Sequence, residues 1–142
     1  FNQREIIHLK DVKELVGLDY RVLLITSLYS LGYALFGFFL NRAGYRRFLA
    51  RGVLPGSFLM LGLMAALGLS AVFNFDRLFL LFHILSFSND FWQLNPAQDY
   101  LIMLFPGGFW LDAFVFSVLI MVVAALVPGV ITWRYLRKSG SG

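Results

Sequence analysis

The chain has 142 residues, 59% of them hydrophobic and 14% charged, with a net charge of +4. Soluble domains run near about 45–50% apolar, so a domain of this size could not hide such a surface from water, and the expected solvent is a bilayer. The sequence has no cysteine, which excludes disulfides, thiol catalysis and thiolate metal sites.

In chain order, EIIHLKDVKELVGL comes first. Ile6, Ile7, Leu9, Val12, Leu15 and Val16 recur at helical spacing and predict a short amphipathic helix at the membrane surface within residues 1–20. Arg21–Leu40, RVLLITSLYSLGYALFGFFL, is the first of three stretches that reach the roughly 20 apolar residues of a spanning helix. Residues 41–52, NRAGYRRFLAR and the glycine after it, predict a loop. The second span is expected over about residues 53–75. After it, RLFLLFHILSF is too short to cross and is either an outer extension of the second helix or an interfacial helix. NDFWQLNPAQD reads as a turn-rich loop broken at Asn95–Pro96. YLIMLF is a short apolar piece stopped by Pro106-Gly107-Gly108. The third span is expected over about 113–133. The SGSG end, 139–142, reads as linker. The fold class is an all-α, polytopic membrane helix bundle: one membrane domain over 1–138 with three spans.

Charge sets the expected orientation. Arg42, Arg46, Arg47 and Arg51 fill the first loop without an acid, and Arg134, Arg137 and Lys138 follow the third span, also without one. Arginine and lysine concentrate on the cytoplasmic side, so 41–52 and 134–142 are expected inside. Residues 1–20 and the re-entrant or interfacial segment 76–112 are then expected outside. Trp92, Trp110 and Trp133 fall near the expected interfaces, where indole rings are favoured. The chain starts at Phe1 with no visible signal peptide, which reads as a fragment preceded by one outward-running span. The arginine clusters are topology signals and do not read as nucleic-acid patches.

The two histidines, His8 and His83, both fall on the expected outer side. Imidazole can take and return a proton near neutral pH. Asp11 is three residues after His8 and shares its helical face, where it could fix the imidazole tautomer. Asp76 lies two turns before His83, and Asn89 and Asp90 follow in the loop. Each also has a plainer reading: an interfacial anchor for a histidine, a solvated charge for Asp11, a helix-ending turn for Asn89-Asp90. Two histidines fall short of the three or four ligands that zinc takes. No nucleophilic serine motif, P-loop or dinucleotide turn is present, and no cofactor is expected.

FNQREIIHLKDVKELV resembles a segment written F-x-x-R-E-x-x-H-x-x-D-V-K. FHILSFSNDFWQLNPAQDYLIMLFPGGFW resembles a second motif, F-H-x-x-x-F-x-N-D-x-W followed by D-x-L-I-x-L-F-P-x-x-F. Both motifs resemble those of the lipoprotein intramolecular transacylases of Gram-positive bacteria, small membrane proteins with four spans. The resemblance implies an acyltransferase that moves one acyl chain from the glycerol of a diacylglyceryl-cysteine to the cysteine α-amine, giving a lyso-form lipoprotein. It implies that His8 and His83 are catalytic. Arg4, Asp11, Asn89, Asp90 and Trp92, in the same motifs, are expected to bind substrate. Asn89, the Trp92 indole and the loop backbone are candidate donors to the oxyanion. The expected partners are the diacylated N-terminus of a lipoprotein and membrane lipids, in the bacterial cell membrane with the site facing outward. The alternatives are a membrane acyl-ester hydrolase using the same histidines and a non-enzymatic scaffold subunit.

Overall fold

A computed structural model of the chain describes residues 1–40 and 44–139. Arg42 of the first basic cluster, and residues 140–142 of the expected linker, lie outside the described residues. Four helices follow in order: α1 (Gln3–Leu40), α2 (Tyr45–Ser86), α3 (Tyr100–Leu104) and α4 (Gly107–Ser139). No strand occurs among the described residues. Helices α1, α2 and α4 are each long and apolar enough to cross a membrane. At the α-helical rise their 38, 42 and 33 residues would measure about 57, 63 and 50 Å. All three exceed the roughly 30 Å of a hydrocarbon core, so each carries turns to spare beyond a span.

The chain divides into two compact units. One comprises Phe1–Leu24 with Ser70–Val115, the other Ile25–Leu69 with Phe116–Gly142.

In the first unit, the expected surface helix is not a separate element, because residues 3–20 are the first turns of α1. The segment after the second expected span is likewise an extension of α2, with one interruption. Asn74 has extended backbone (φ −163°, ψ 86°) inside α2. Its side-chain Oδ1 accepts from the Arg77 N–H at 2.9 Å, so Asn74 caps the resumed helix as an N-cap asparagine does. YLIML forms α3, and Asn95–Pro96 forms the expected turn: the Asn95 side chain accepts from Ala97 N–H at 2.9 Å, and its carbonyl accepts from Gln98 and Asp99 N–H.

The apolar stripe expected to face the bilayer is left partly open on the surface of α1, and the residues packed inward are polar. Ile6, Leu9 and Val16 are 51%, 40% and 47% exposed, while Glu5 and His8 are buried. Around His83 the pattern repeats, with Phe82, Ile84 and Leu85 exposed and the histidine buried. A periodic apolar stripe marks the buried face only where water is the alternative. In a bilayer apolar side chains can face lipid, while polar groups need partners that the protein alone supplies.

In the second unit, α2 begins at Tyr45, so Arg46, Arg47 and Arg51 belong to its first turns and not to a loop. The ring of Phe48 explains the early start. It stacks on Tyr33 with centroids 4.6 Å apart and comes so close to Gly37 that a Cβ there would collide with it. Gly129 of α4 approaches Ser57 of α2 so closely that a Cβ there would stand 3.1 Å from the serine Cβ. Small residues allow this approach, the usual basis of helix pairing in membranes.

Candidate active site

His8 and His83 are 75 positions apart in the sequence, and the first unit brings their ring centroids to 6.0 Å. Both are buried, at 8% and 7% exposure. Helix α1 delivers His8 and the resumed part of α2 delivers His83. Aromatic rings enclose the pair. Phe79, Trp92, Phe82 and Phe87 lie with centroids 4.3, 5.1, 5.3 and 5.6 Å from the His83 ring. Phe87 also meets His8 edge-on at 5.1 Å.

The two imidazoles are held differently. His83 Nδ1 lies 2.8 Å from the Phe79 carbonyl oxygen one turn earlier. A carbonyl only accepts, so Nδ1 carries the proton and donates, leaving the lone pair on Nε2. His8 Nδ1 is the one buried side-chain nitrogen or oxygen without a hydrogen-bond partner among the described residues. Asp11 therefore does not fix the tautomer of His8 through that nitrogen. Its Oδ2 accepts from Asn89 Nδ2 at 2.8 Å. An unpaired buried polar atom costs about 1–3 kcal/mol, a penalty that packing elsewhere in the unit must offset.

An open cleft of about 190 Å³ reaches both histidines. Its wall is apolar: Leu9 and Val12 from α1, Phe79 from α2, Trp92 and Leu94 from the loop, then Leu101, Ile102 and Phe105 around α3, with Gly107 and Trp110 opening α4. Phe82 and Phe87 pack against the histidines without lining the cleft. Among the described residues no group of three or more His, Asp or Glu is placed to hold a metal ion.

The other sequence-derived site residues are dispersed around this cleft. Trp92 lines it. Asn89 does not: its amide bonds Asp11, and its Oδ1 accepts from Phe91 N–H at 3.0 Å, closing an Asx turn. Arg4 donates through Nη2 to the Asp90 carbonyl oxygen at 3.0 Å, and the Asp90 carboxylate takes a 3.4 Å contact from Gln93 Nε2. These four residues tie the 87–93 loop to α1.

A further polar cluster is absent from the sequence reading. Glu5 is fully buried and accepts from two backbone N–H groups, Leu101 at 2.7 Å and Asn2 at 2.6 Å. Asn2 Oδ1 in turn accepts from Glu5 N–H at 3.0 Å, a reciprocal capping box. Asn2 Nδ2 also donates to buried Asp99, which accepts from Asn95 N–H as well. The N-x-x-E spacing at Asn2 and Glu5 is a visible capping signal. The reach from Glu5 to Leu101 leaves no local trace in the sequence.

The family model for the lipoprotein intramolecular transacylase Lit matches residues 1–110, which include every residue of the cleft. This chain belongs to the lipoprotein intramolecular transacylase family. Among solved structures it is similar to the membrane-integral lipoprotein intramolecular transacylase Lit of Bacillus cereus, at 28% identity and a TM-score of 0.74. The similarity covers 99% of this chain and 62% of the Bacillus chain, so the chain spans under two thirds of that transacylase's length. No curated protein sequence matches it. With three apolar helices and a membrane-integral relative, this transacylase family member is a multi-pass membrane protein.

Proposed function

We propose that the His8–His83 cleft transfers an acyl chain within a diacylglyceryl-cysteine lipoprotein, from a glycerol oxygen to the cysteine α-amine. The observation that carries this reading is the pair of buried imidazoles at 6.0 Å, one with its tautomer set and one with an orphaned nitrogen. The amine nitrogen attacks the ester carbonyl carbon. A C–N bond forms, the C–O bond to glycerol breaks, one proton leaves nitrogen, and one arrives at the departing oxygen. Nothing else is consumed.

An α-ammonium has a pKa of about 7.7–8 and must first lose a proton. His83 Nε2 is the base suited to this, because the Phe79 carbonyl keeps its lone pair available. The nitrogen sheds a second proton as the C–N bond forms, and the glycerol oxygen takes one up. His8 is the remaining group in the cleft wall able to relay it, giving its own proton to the oxygen and regaining one from the nitrogen, while the proton first taken by His83 passes to solvent. Such positioned acid–base groups contribute about 10²–10⁴-fold. Amine and ester share one molecule, so much of the proximity advantage comes from the substrate. The apolar wall suits the acyl chain. Of the two side-chain donors considered for the oxyanion, the Trp92 indole lines the cleft and Asn89 is engaged with Asp11, so Trp92 takes that role. Arg4, Asp11, Asn89 and Asp90 act by holding the loop. The arginines at the start of α2 and the end of α4, read as cytoplasmic by the positive-inside tendency, support an extracellular site.

Mass spectrometry of the N-terminal lipopeptide, with and without the protein, tests the proposal. An N-acylated peptide of unchanged total mass supports it. Loss of one acyl group as free fatty acid would make the protein a hydrolase.

A further inference from the structure

We infer that Glu5 is a positioning residue for this cleft: its carboxylate docks the α3 wall onto helix α1 and so sets the seat of the acyl chain. The inference rests on the acyl-transfer reading.

Helix α3 has five residues and no side-chain cap of its own, since the N-cap Asp99 makes no capping bond. Asp99 is committed to Asn95 and Asn2. The first turn of α3 is capped instead from a distance, by Glu5 on the Leu101 N–H. A helix this short is not stable alone; it stands where it is fastened. Leu101, Ile102 and Phe105 form one side of the cleft. Glu5 is three residues before His8, so both project from the same side of α1. One carboxylate therefore fixes the spacing between a reacting imidazole and the wall that receives the acyl chain. Both carboxylate oxygens accept. Glutamine offers one accepting oxygen and an amide that only donates, so Glu5→Gln keeps the size and opposes N–H to N–H at one of the two bonds. Glu5→Asp keeps both acceptors and shortens the reach.

The experiment uses the full chain in lipid nanodiscs with two synthetic diacylglyceryl-cysteine peptides, one carrying lauroyl and one stearoyl esters. N-acyl product is followed by mass spectrometry for each. For Glu5→Gln, kcat/KM is expected to fall about 10-fold or more, the scale of one lost hydrogen bond to a charged group. The ratio between the two substrates is expected to collapse toward one. Glu5→Asp should recover part of both. Combining Glu5→Gln with Phe105→Ala should give less than the product of the single effects, because both act through the same wall. A uniform slowing of both substrates with the wild-type ratio kept would overturn the inference, and so would an unchanged rate. Hydrogen exchange on the wild type gives an arm that needs no variant: a Leu101 amide that exchanges as fast as an exposed loop amide rules the docking bond out. Failure of the wild type to N-acylate either peptide refutes the proposed function itself. An active wild type with an indifferent Glu5→Gln refutes only this inference.

Discussion

Replacing His83 by asparagine separates shape and hydrogen bonding from proton transfer. The histidine is 7% exposed, and its Nδ1 spends its proton on the Phe79 carbonyl at 2.8 Å. An asparagine amide can still donate to a carbonyl one turn back, so the orientation bond is largely kept. It has no nitrogen lone pair that takes a proton near neutrality, so the Nε2 function is lost. The smaller side chain leaves a gap among Phe79, Phe82, Phe87 and Trp92, with a stability loss of about 1–3 kcal/mol. Acyl transfer should fall far more, by about 10²–10⁴-fold, the range of one general base. The assay is the N-acylated lipopeptide yield per minute, at protein levels matched by immunoblot and with thermal unfolding in detergent recorded alongside. If a folded His83→Asn protein gives wild-type yields, His83 is not the base, and the role assigned to its Nε2 is wrong.

His8→Ala should be comparably severe in the same assay, with little loss of stability, because it removes a buried nitrogen that has no partner. Asn89→Ala, which breaks the 2.8 Å bond to Asp11, should cost about 1 kcal/mol in thermal unfolding, and adding Asp11→Ala should cost little more. Gly129→Leu should destabilise by about 1–3 kcal/mol, since even a Cβ there would stand 3.1 Å from Ser57; detergent melts check it. A single cysteine at position 46 should resist an impermeant thiol reagent applied outside the cell, while one at position 93 should react. Labelling of position 46 from outside would reverse the orientation and the placement of the cleft.

The spans and the pairing of the histidines were legible in the sequence, the first from run length and the second because two scarce imidazoles sat in motif-bearing segments of one expected side. The inward face of α1 was legible only in part. Helical spacing marks the stripe of Ile6, Leu9 and Val16 that the protein leaves exposed, as a bilayer allows, but it does not mark Glu5 and His8 as the residues buried instead. Helix continuity was also hidden. The surface helix and the span after it were read as two elements because only the second is a long apolar run, whereas α1 is continuous from Gln3 to Leu40, since a change in polarity does not break helical hydrogen bonding. Asn74 looked like one more span residue and is the point where α2 resumes. The Glu5–Leu101 bond joins positions 96 apart, and no periodicity records a contact at that range.

The cleft wall has a consequence for which nucleophile wins. Beyond the two imidazoles, its side chains are aliphatic or aromatic, and the only other polar atoms they carry are the two indole N–H groups; one of these, in Trp110, lies 3.2 Å from the Phe105 carbonyl oxygen and donates to it. Water gains few hydrogen bonds along such a surface, and a water needs two to four partners to be held in place. In the proposed reaction the tethered amine arrives with the substrate and needs none. An ester carbon seated there is then expected to partition toward aminolysis, and a hydroxyl introduced on that wall, for example by Leu101→Ser, is expected to raise the share of hydrolysis.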